Sequence, residues 1–239
     1  MPFEELLRQR ELDCRLTPDR ALETLDEAEA FLRDRGLLTL MPDCSLPSLF
    51  GACHEEPYKP GSSGFGLWPR TKYPWAFELS ARCVRTKLHR GKGLFLDDDL
   101  VAVVDPLCRA ELARAEEGQF GPEAQQAVER LAQIGPALPE ELGLGRRTRE
   151  RLERVGAVVS RSLAIEPHGI TSELLRWDQI RLAPAAGGGL DELVIAGVRA
   201  AVAVPEREAG RWFSWPADPA RLVDEGRLVR PEPGWVAIP

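Results

Sequence analysis

The spacing of apolar and polar residues predicts that the chain begins with a helix and then a strand, after a short charged opening segment. Apolar residues recur at the three- and four-residue spacing of one helix face at Leu25, Ala28, Phe31 and Leu32. Thr24 and Glu27 form the pattern of a capping box at the start of this helix, and Gly36 is typical of a helix end. The apolar run at residues 37–41 then predicts a short strand.

The following segment changes from an irregular to a regular pattern. Residues 59–75, KPGSSGFGLWPRTKYPW, are rich in Gly, Pro, Ser and aromatic side chains, which predicts a long loop. A short helix is expected at residues 74–81, with a proline in its first turn. The segments CVRTKLH and GLFL predict two strands of a hairpin with its tip at residues 89–93. Asp97 then caps a helix whose apolar positions recur as far as Ala115.

The middle of the chain shows three helical patterns followed by a strand pattern. Pro122 opens a helix that extends through Ile134, and residues 138–142 predict a shorter one. After a Gly-Leu-Gly turn, RRTRERLERV predicts a third helix, and AVVSRSLAI predicts a strand. Three helices with a tight turn before the third, followed by strands, are typical of a winged helix-turn-helix.

A third unit follows the glycine linker at residues 187–189. Its pattern predicts a helix at 190–204, further helices around 206–212 and 219–225, and a final hairpin at 227–238. The predicted fold class is therefore α+β, with tandem winged helix-turn-helix units packed into one compact body. The units are residues 1–116, 117–186 and 187–239. Their similarity depends on element order alone, since no residue-level repeat is visible.

Composition agrees with a globular protein that stays in the cytoplasm. The chain has 239 residues, of which 44% are hydrophobic and 29% charged. No apolar run reaches the roughly 18 residues that a membrane helix needs, and the charged N-terminal segment is unlike a signal peptide. The five cysteines are an odd number and are widely spaced, which favours free thiols.

Charge is unevenly distributed along the chain. Residues 59–92, which we call the basic strip, contain eight Lys or Arg and one acid, Glu78, for a net charge of +7. The whole chain has a net charge of −7, so the remainder carries −14. A basic segment of this kind favours contact with nucleic acid, and the acidic remainder favours a protein partner.

The basic strip interleaves its charges with aromatic side chains, which suits DNA or RNA because bases stack on rings and phosphates pair with cations. The aromatic residues are Tyr58, directly before the strip, and Phe65, Trp68, Tyr73, Trp75 and Phe77 within it. The alternative is that Trp75 and Phe77 belong to the core and that the cations form a solvated face. The HRGKG tip resembles a wing in which His89, Arg90 and Lys92 meet phosphate. It lacks the phosphate-loop pattern, so nucleotide hydrolysis is not predicted.

Arginines dominate the third predicted helix of the middle unit and suggest a recognition helix. The alternative is an exposed helix whose arginines pair with Glu150 and Glu153 at a spacing of four residues. The candidate nucleic-acid-binding residues in the strip and this helix are Lys59, Trp68, Arg70, Lys72, Arg82, Arg85, Lys87, His89, Arg90, Lys92, Arg146, Arg147 and Arg149.

Three segments carry a family resemblance. They are AEAFLRDRGLLTLMPDCSLPSLFGA, WPRTKYPWAFELSARCVRTKLHRGKGLFLDDDLVAVV and the helix-turn-helix at residues 121–165. Together they resemble the AlkZ-related winged-helix proteins, distant relatives of the AlkZ-type DNA glycosylases, over residues 22–180. In that family a WAFEL-like helix precedes an arginine and a basic hairpin, as Trp75, Arg82 and residues 87–90 do here. The resemblance implies tandem winged-helix units and association with DNA. It implies no catalytic element, because the Gln-x-Gln pair of the glycosylases is missing.

One segment contains residue types that bind zinc, namely Cys44, Cys53 and His54 with Glu55 and Glu56. Because paired Cys-x-x-Cys spacing is missing, the favoured interpretation is a buried thiol beside a surface turn. No metal and no other cofactor are therefore expected.

The predicted function is binding of nucleic acid, double-stranded DNA in particular, without evident catalytic machinery. One alternative is a glycosylase-like DNA repair enzyme that uses a carboxylate such as Glu55, Glu56 or Glu78 in place of the Gln-x-Gln pair. Another alternative is a winged-helix module that binds a protein partner through the acidic surface. No membrane association is expected.

Overall fold

The computed structural model describes residues 2–165 and 169–239, which contain ten α-helices and seven strands. The strands pair with antiparallel neighbours and form three small sheets within these residues. The predicted α+β class is therefore confirmed. In the same residues, no helix is both long and apolar enough to cross a membrane.

The first part of the chain contains the predicted helix, strand and hairpin. Its elements are α1 (Phe3–Asp13), α2 (Leu25–Arg35), β1 (Leu37–Thr39), α3 (Trp75–Glu78), β2 (Val84–His89), β3 (Lys92–Leu96) and α4 (Asp98–Glu116). The Thr24 side chain accepts a hydrogen bond from the Glu27 backbone N–H, and Gly36 ends α2 with a φ of 79°. Asp97 caps α4 by accepting from the Leu100 N–H at 2.9 Å. Both predicted caps are confirmed.

The N-terminal helix α1 was not predicted, because its apolar residues form no clear stripe and none of its residues is fully buried. Distant parts of the chain hold it in place. The Arg10 guanidinium donates to the Ser45 carbonyl at 2.9 Å, and the Phe3 ring packs edge-on against Trp235 at 5.1 Å between centroids. Helix formation here depends on tertiary contacts rather than on an amphipathic pattern.

The middle part contains α5 (Pro122–Ile134), α6 (Arg146–Arg154), β4 (Val158–Ile165), β5 (Gly169–Arg176) and α7 (Trp177–Ile180). The predicted short helix at residues 138–142 is wrong, since these residues form only a hydrogen-bonded turn. The Leu142 N–H reaches the Leu138 carbonyl at 3.3 Å, and the Glu141 carboxylate accepts from the Leu138 N–H at 2.7 Å. Pro139 and Gly143 disfavour any extension of this turn.

The last part contains α8 (Leu190–Ala201), β6 (Ala203–Pro205), α9 (Glu206–Ala209), α10 (Pro219–Asp224) and β7 (Trp235–Ala237). The helix predicted at 190–204 ends early, because Val202 adopts a φ of 68° and the next residues pair with β7. In the predicted hairpin at 227–238, the first arm contributes a single bridge from Val229 to Ala237. Strand β6 was not predicted, because its apolar residues continue the helical pattern of α8 in the sequence.

The three sheets share one order of strands. In each sheet the last strand in the sequence lies in the middle. It pairs on one side with an earlier strand or bridge residue and on the other side with the segment that directly precedes it in the sequence. The first sheet has the order β1, β3, β2; the second has Ala137, β5, β4; and the third has β6, β7, Val229. The same connectivity therefore occurs three times without a repeat in the sequence.

One apolar core joins the three parts. Val104 of α4, Val128 of α5 and Val198 of α8 are fully buried members of the same cluster.

The glycine linker at residues 187–189 packs against α4. The Gly189 N–H bonds to the Val103 carbonyl at 2.9 Å, and a Cβ at Gly188 would lie 2.4 Å from that oxygen. Glycine is therefore required where the linker crosses α4.

Candidate nucleic-acid interface

A cleft of about 340 Å³ opens where the first and middle parts of the chain meet. Helix α6 and strand β4 pack against β2, which brings the basic strip beside the arginine-rich helix. Its cations are Arg85 and Lys87 of β2 and Arg149 of α6, and its aromatic side chains are Trp68 and Phe77. Residues that are far apart in the sequence therefore share one concave surface.

Arg85 has the fewest polar partners of the three cations in the cleft. Its guanidinium lies 5.7 Å from the centroid of the Phe95 ring, and within the described residues it forms neither a hydrogen bond nor a salt bridge. Burial lowers the pKa of Arg85, although an arginine remains charged at neutral pH. Glu153 attracts Arg85 through space but does not pair with it, so the burial of this cation is only partly compensated, and an anionic ligand would relieve the remaining cost.

Glu153 is the carboxylate that faces these cations. Its side chain is 1% exposed, and it accepts from Lys87 Nζ at 2.6 Å and from the Ser160 hydroxyl. Arg149 Nε lies 3.6 Å from the same carboxylate and is buried without a hydrogen-bond partner among the described residues. Three cations thus face one carboxylate, which leaves the cleft positively charged.

Hydroxyl groups complete the lining of the cleft. They belong to Thr86, Ser160, Ser162 and Ser172. Thr86 donates to the Leu94 carbonyl and Ser160 to Glu153, so Ser162 and Ser172 have the free hydroxyls among the described residues. With the guanidinium and ammonium groups, these two hydroxyls form a set of donors suited to phosphate oxygens. Glu153 and these hydroxyls were not predicted as site residues, because no motif marks them and β5 comes close only through pairing with β4.

The aromatic residues of the strip pack largely on one another. The Trp68 ring lies 4.4 Å from Phe65, 5.2 Å from Phe50 and 5.7 Å from Phe77, measured between centroids. Backbone hydrogen bonds tie the loop together, such as that from the Tyr58 N–H to the Trp68 carbonyl at 2.7 Å. Of the two rings that the core interpretation named, Trp75 packs partly buried against a hydrophobic cluster, whereas Phe77, like Trp68, lines the cleft.

Folding neutralises part of the basic strip. Arg82 pairs with Asp26 at 2.9 Å and Glu29 at 2.8 Å, and Lys92 pairs with Asp43. Lys72 Nζ donates to the Leu22 carbonyl at 2.6 Å and lies near Glu23. These three residues were predicted to bind nucleic acid. They lie outside the cleft, where acidic side chains and a backbone carbonyl from outside the strip bind them instead.

Other predicted residues lie exposed around the molecule. Lys59, Arg70, Arg90 and Arg147 are exposed, and none of them forms a salt bridge within the part of the chain that the structure describes. Arg146 pairs with Glu150 at 2.7 Å, as the alternative for α6 predicted. The strip is therefore divided between the cleft, the outer surface and internal ion pairs.

The outer face of α6 carries a row of arginines. Arg147, Arg151 and Arg154 are all exposed and follow one another at helical spacing. The Arg151 guanidinium lies over the Phe120 ring, 4.7 Å from its centroid. On a helix of 3.6 residues per turn, this face lies opposite Arg149, so the row points away from the cleft.

His89 does not lie at the exposed tip of the hairpin, contrary to the expected wing. It is fully buried, and its Nδ1 lies 2.6 Å from the Trp212 carbonyl oxygen in the last part of the chain. Burial lowers the pKa of His89. Only Arg90 and Lys92 of the predicted wing residues are exposed, because β2 ends against the third unit rather than in solvent.

The carboxylates proposed for a repair enzyme also lie outside the cleft. Glu55 accepts from the Thr71 and Lys72 backbone N–H groups, while Glu56 and Glu78 are exposed.

Comparison with known proteins leaves the resemblance to the AlkZ-related family a prediction. No protein-family model, no curated protein and no solved structure matches this chain.

Proposed function

We propose that this protein binds double-stranded DNA through the cleft between α6 and β2. The observation that carries the proposal is the meeting of Arg85 and Arg149 in one cleft, each with guanidinium N–H groups that lack an acceptor among the described residues. Phosphate oxygens are suitable acceptors for such groups, since guanidinium binds them in a bidentate fashion.

The connectivity of the three sheets supports a tandem array of winged helix-turn-helix units. In such a unit a short strand after the first helix pairs beside a terminal hairpin, and the helix before the hairpin contacts DNA. On this proposal α6 is that helix, since it lies directly before β4 and β5. Arg149 of this helix and Arg85 of β2 then contact the phosphate backbone in the cleft.

The aromatic side chains of the cleft indicate which part of the ligand it binds. Trp68 and Phe77 stand beside Arg85 in a space of about 340 Å³, large enough for part of one nucleotide. Aromatic faces stack unpaired bases, and a base can leave a duplex where pairing is weak. We therefore expect tighter binding to duplexes that contain an unpaired base than to perfect duplexes of the same length.

Fluorescence anisotropy with labelled duplex DNA tests the proposal. The expected dissociation constant at low salt is tighter than about 100 μM, and it should rise steeply with salt because bound counterions are released. A duplex with one unpaired base and a single strand of the same length serve as comparisons. Binding weaker than about 100 μM to all three ligands would reject the proposal, whereas capture of a protein after nuclease treatment would favour the interaction module.

A second candidate function is supported by the position of Glu153. A buried carboxylate beside an aromatic pocket can stabilise the cationic sugar that forms when the bond between base and deoxyribose breaks. Water would add its oxygen to C1′, and one of its protons would leave with the base. An abasic-site assay on alkylated and crosslinked DNA should then show release of base that falls at least ~100-fold in Glu153→Gln. Absence of release by the unmodified protein across this panel would exclude the candidate.

A further inference from the structure

Three residues with metal-binding side chains converge away from the cleft, where the first and third parts of the chain meet. Asp43 and Cys44 lie in the loop after β1, and His89 is the last residue of β2. One carboxylate oxygen, the thiol sulfur and one imidazole nitrogen lie within 4.8 Å of one another. The sequence separates His89 from the other two, so their spacing predicts no such cluster.

The orientation of His89 is fixed by its backbone partner. Nδ1 lies 2.6 Å from the Trp212 carbonyl oxygen, which can only accept, so Nδ1 carries a proton and donates it. In the neutral ring Nε2 is then an unprotonated acceptor. Nε2 is buried and has no hydrogen-bond partner among the described residues, yet it lies 3.5 Å from Asp43 Oδ1. Two acceptors that face each other at this distance repel unless a positive charge lies between them.

We propose that Asp43, Cys44 and His89 bind one zinc ion. Thiolate, imidazole and carboxylate together favour zinc, whereas magnesium and calcium prefer sites made of oxygen. Ligand atoms around a tetrahedral zinc ion lie about 3.3–3.8 Å apart, given metal-to-ligand distances near 2.0–2.3 Å. The separation of 3.5 Å between His89 Nε2 and Asp43 Oδ1 already falls in that range.

The surroundings of the three ligands resemble the outer shell of a metal site. The Trp212 carbonyl orients His89, and Lys92 Nζ contacts the second carboxylate oxygen of Asp43. Ser45, next to Cys44, donates from its hydroxyl to Glu208 at 2.7 Å, which ties the loop to the third part of the chain. Such partners hold the first ligands in place and raise metal affinity.

Three protein ligands leave one position of a tetrahedral ion for water or another molecule. Asp43 and His89 also border a separate pocket of about 300 Å³, which Leu67 and Trp68 line as well. The proposed ion therefore lies at the edge of a space that admits a small ligand. The three proposed ligands do not line the cleft of the proposed function, although Trp68 lines both spaces.

Metal binding by the full-length chain tests the proposal. After removal of bound metal with a chelator, zinc titration followed by calorimetry should give one ion per chain with a dissociation constant below about 10 μM. Cobalt in place of zinc should give a thiolate-to-metal charge-transfer band and the visible bands of a tetrahedral ion. A stoichiometry other than one, or weaker zinc binding, would overturn the proposal and leave a proton between His89 and Asp43 as the explanation of their approach.

Matched cysteine variants assign the ligand. Cys44→Ser should abolish the charge-transfer band and weaken zinc binding at least ~10-fold, whereas Cys83→Ser, which alters another half-buried free thiol, should preserve both. Asp43→Asn affects a partly exposed side chain and should also weaken zinc binding, with circular dichroism used to verify folding of each variant. A charge-transfer band of unchanged intensity in Cys44→Ser would contradict the assignment.

Discussion

Replacing Arg85 and Arg149 together with alanine should weaken duplex DNA binding by roughly 100-fold at low salt, since a hydrogen bond to a charged group contributes about 1.5–3 kcal/mol. The logarithm of affinity should also depend less steeply on the logarithm of salt concentration, with a slope smaller by about 1.8, because each phosphate contact contributes about 0.9. Anisotropy titrations at several salt concentrations measure both quantities.

The physical basis of this expectation is the unsatisfied state of the two side chains. Arg85 lines the cleft without a carboxylate partner among the described residues, and the nearest carboxylate oxygen to Arg149 Nε lies at 3.6 Å. Neither side chain therefore has to give up a strong ion pair in order to bind phosphate. Lys87 remains bonded to Glu153 at 2.6 Å in the double variant, so the buried carboxylate keeps a cation beside it.

Two further variants distinguish a specific cleft from general charge. Arg207→Ala removes an exposed arginine of α9 that does not line the cleft, and its affinity should stay within about twofold of the unmodified protein. Arg85→Lys keeps the charge but loses the guanidinium fork, so it should preserve most of the salt dependence and lose part of the affinity. Equal losses in Arg207→Ala and in the double variant would contradict a role for the cleft.

Replacing Asp105 with alanine should lower the free energy of unfolding by about 3–5 kcal/mol, the range expected when one partner of a buried charged network is removed. Asp105 is 1% exposed and accepts from Trp177 Nε1 at 2.8 Å, from the Ala185 N–H at 2.8 Å and from Arg109 Nε at 3.0 Å. It thereby connects α4, α7 and the segment before the glycine linker. Thermal and urea unfolding measure the loss, and Asp224→Ala, on an exposed carboxylate of α10, should change stability by less than about 0.5 kcal/mol.

The same carboxylate predicts a dependence of stability on pH. Burial acts to raise the pKa of Asp105, but the hydrogen bonds from Ala185, Trp177 and Arg109 outweigh it, so the pKa lies below the ordinary value of 3.8. A lowered pKa stabilises the fold above the ordinary value, and that stabilisation is lost as the pH falls through the lowered pKa. Asp105→Asn should therefore show less loss of stability than the unmodified protein as the pH falls below about 3.8. Parallel losses in the two proteins would exclude Asp105 as a source of acid sensitivity.

Helices α2, α4 and α5 were predicted nearly to their ends because their determinants are local. Thr24 and Asp97 cap backbone groups three residues away, and Pro122 begins α5 where its missing N–H costs nothing. Strand β6 was missed because its backbone partner is β7, some thirty residues further along the chain. Local pattern cannot report such a partner, so the apolar residues after Ala201 continued the predicted helix.

The candidate site was also predicted only in part, because the sequence indicates which residues are cations but not where they lie. Arg85, Lys87 and Arg149 were selected as cations, but their meeting depends on the packing of α6 against β2. His89 was selected on the same grounds as Arg90, yet one is fully buried and the other is exposed. The pattern at a hairpin tip contains no information about what packs beside it, which here is the third part of the chain.

The sequence by itself determined the α+β class, the capped helices and the concentration of positive charge in residues 59–92, because composition and short-range hydrogen bonding suffice for these. Only the tertiary structure decided the fate of each cation. Arg82 pairs with acids of α2, whereas Arg85 lines the cleft and forms no salt bridge among the described residues. The physical reason is that Coulomb interactions and desolvation depend on distances between atoms, and folding sets those distances independently of separation along the chain.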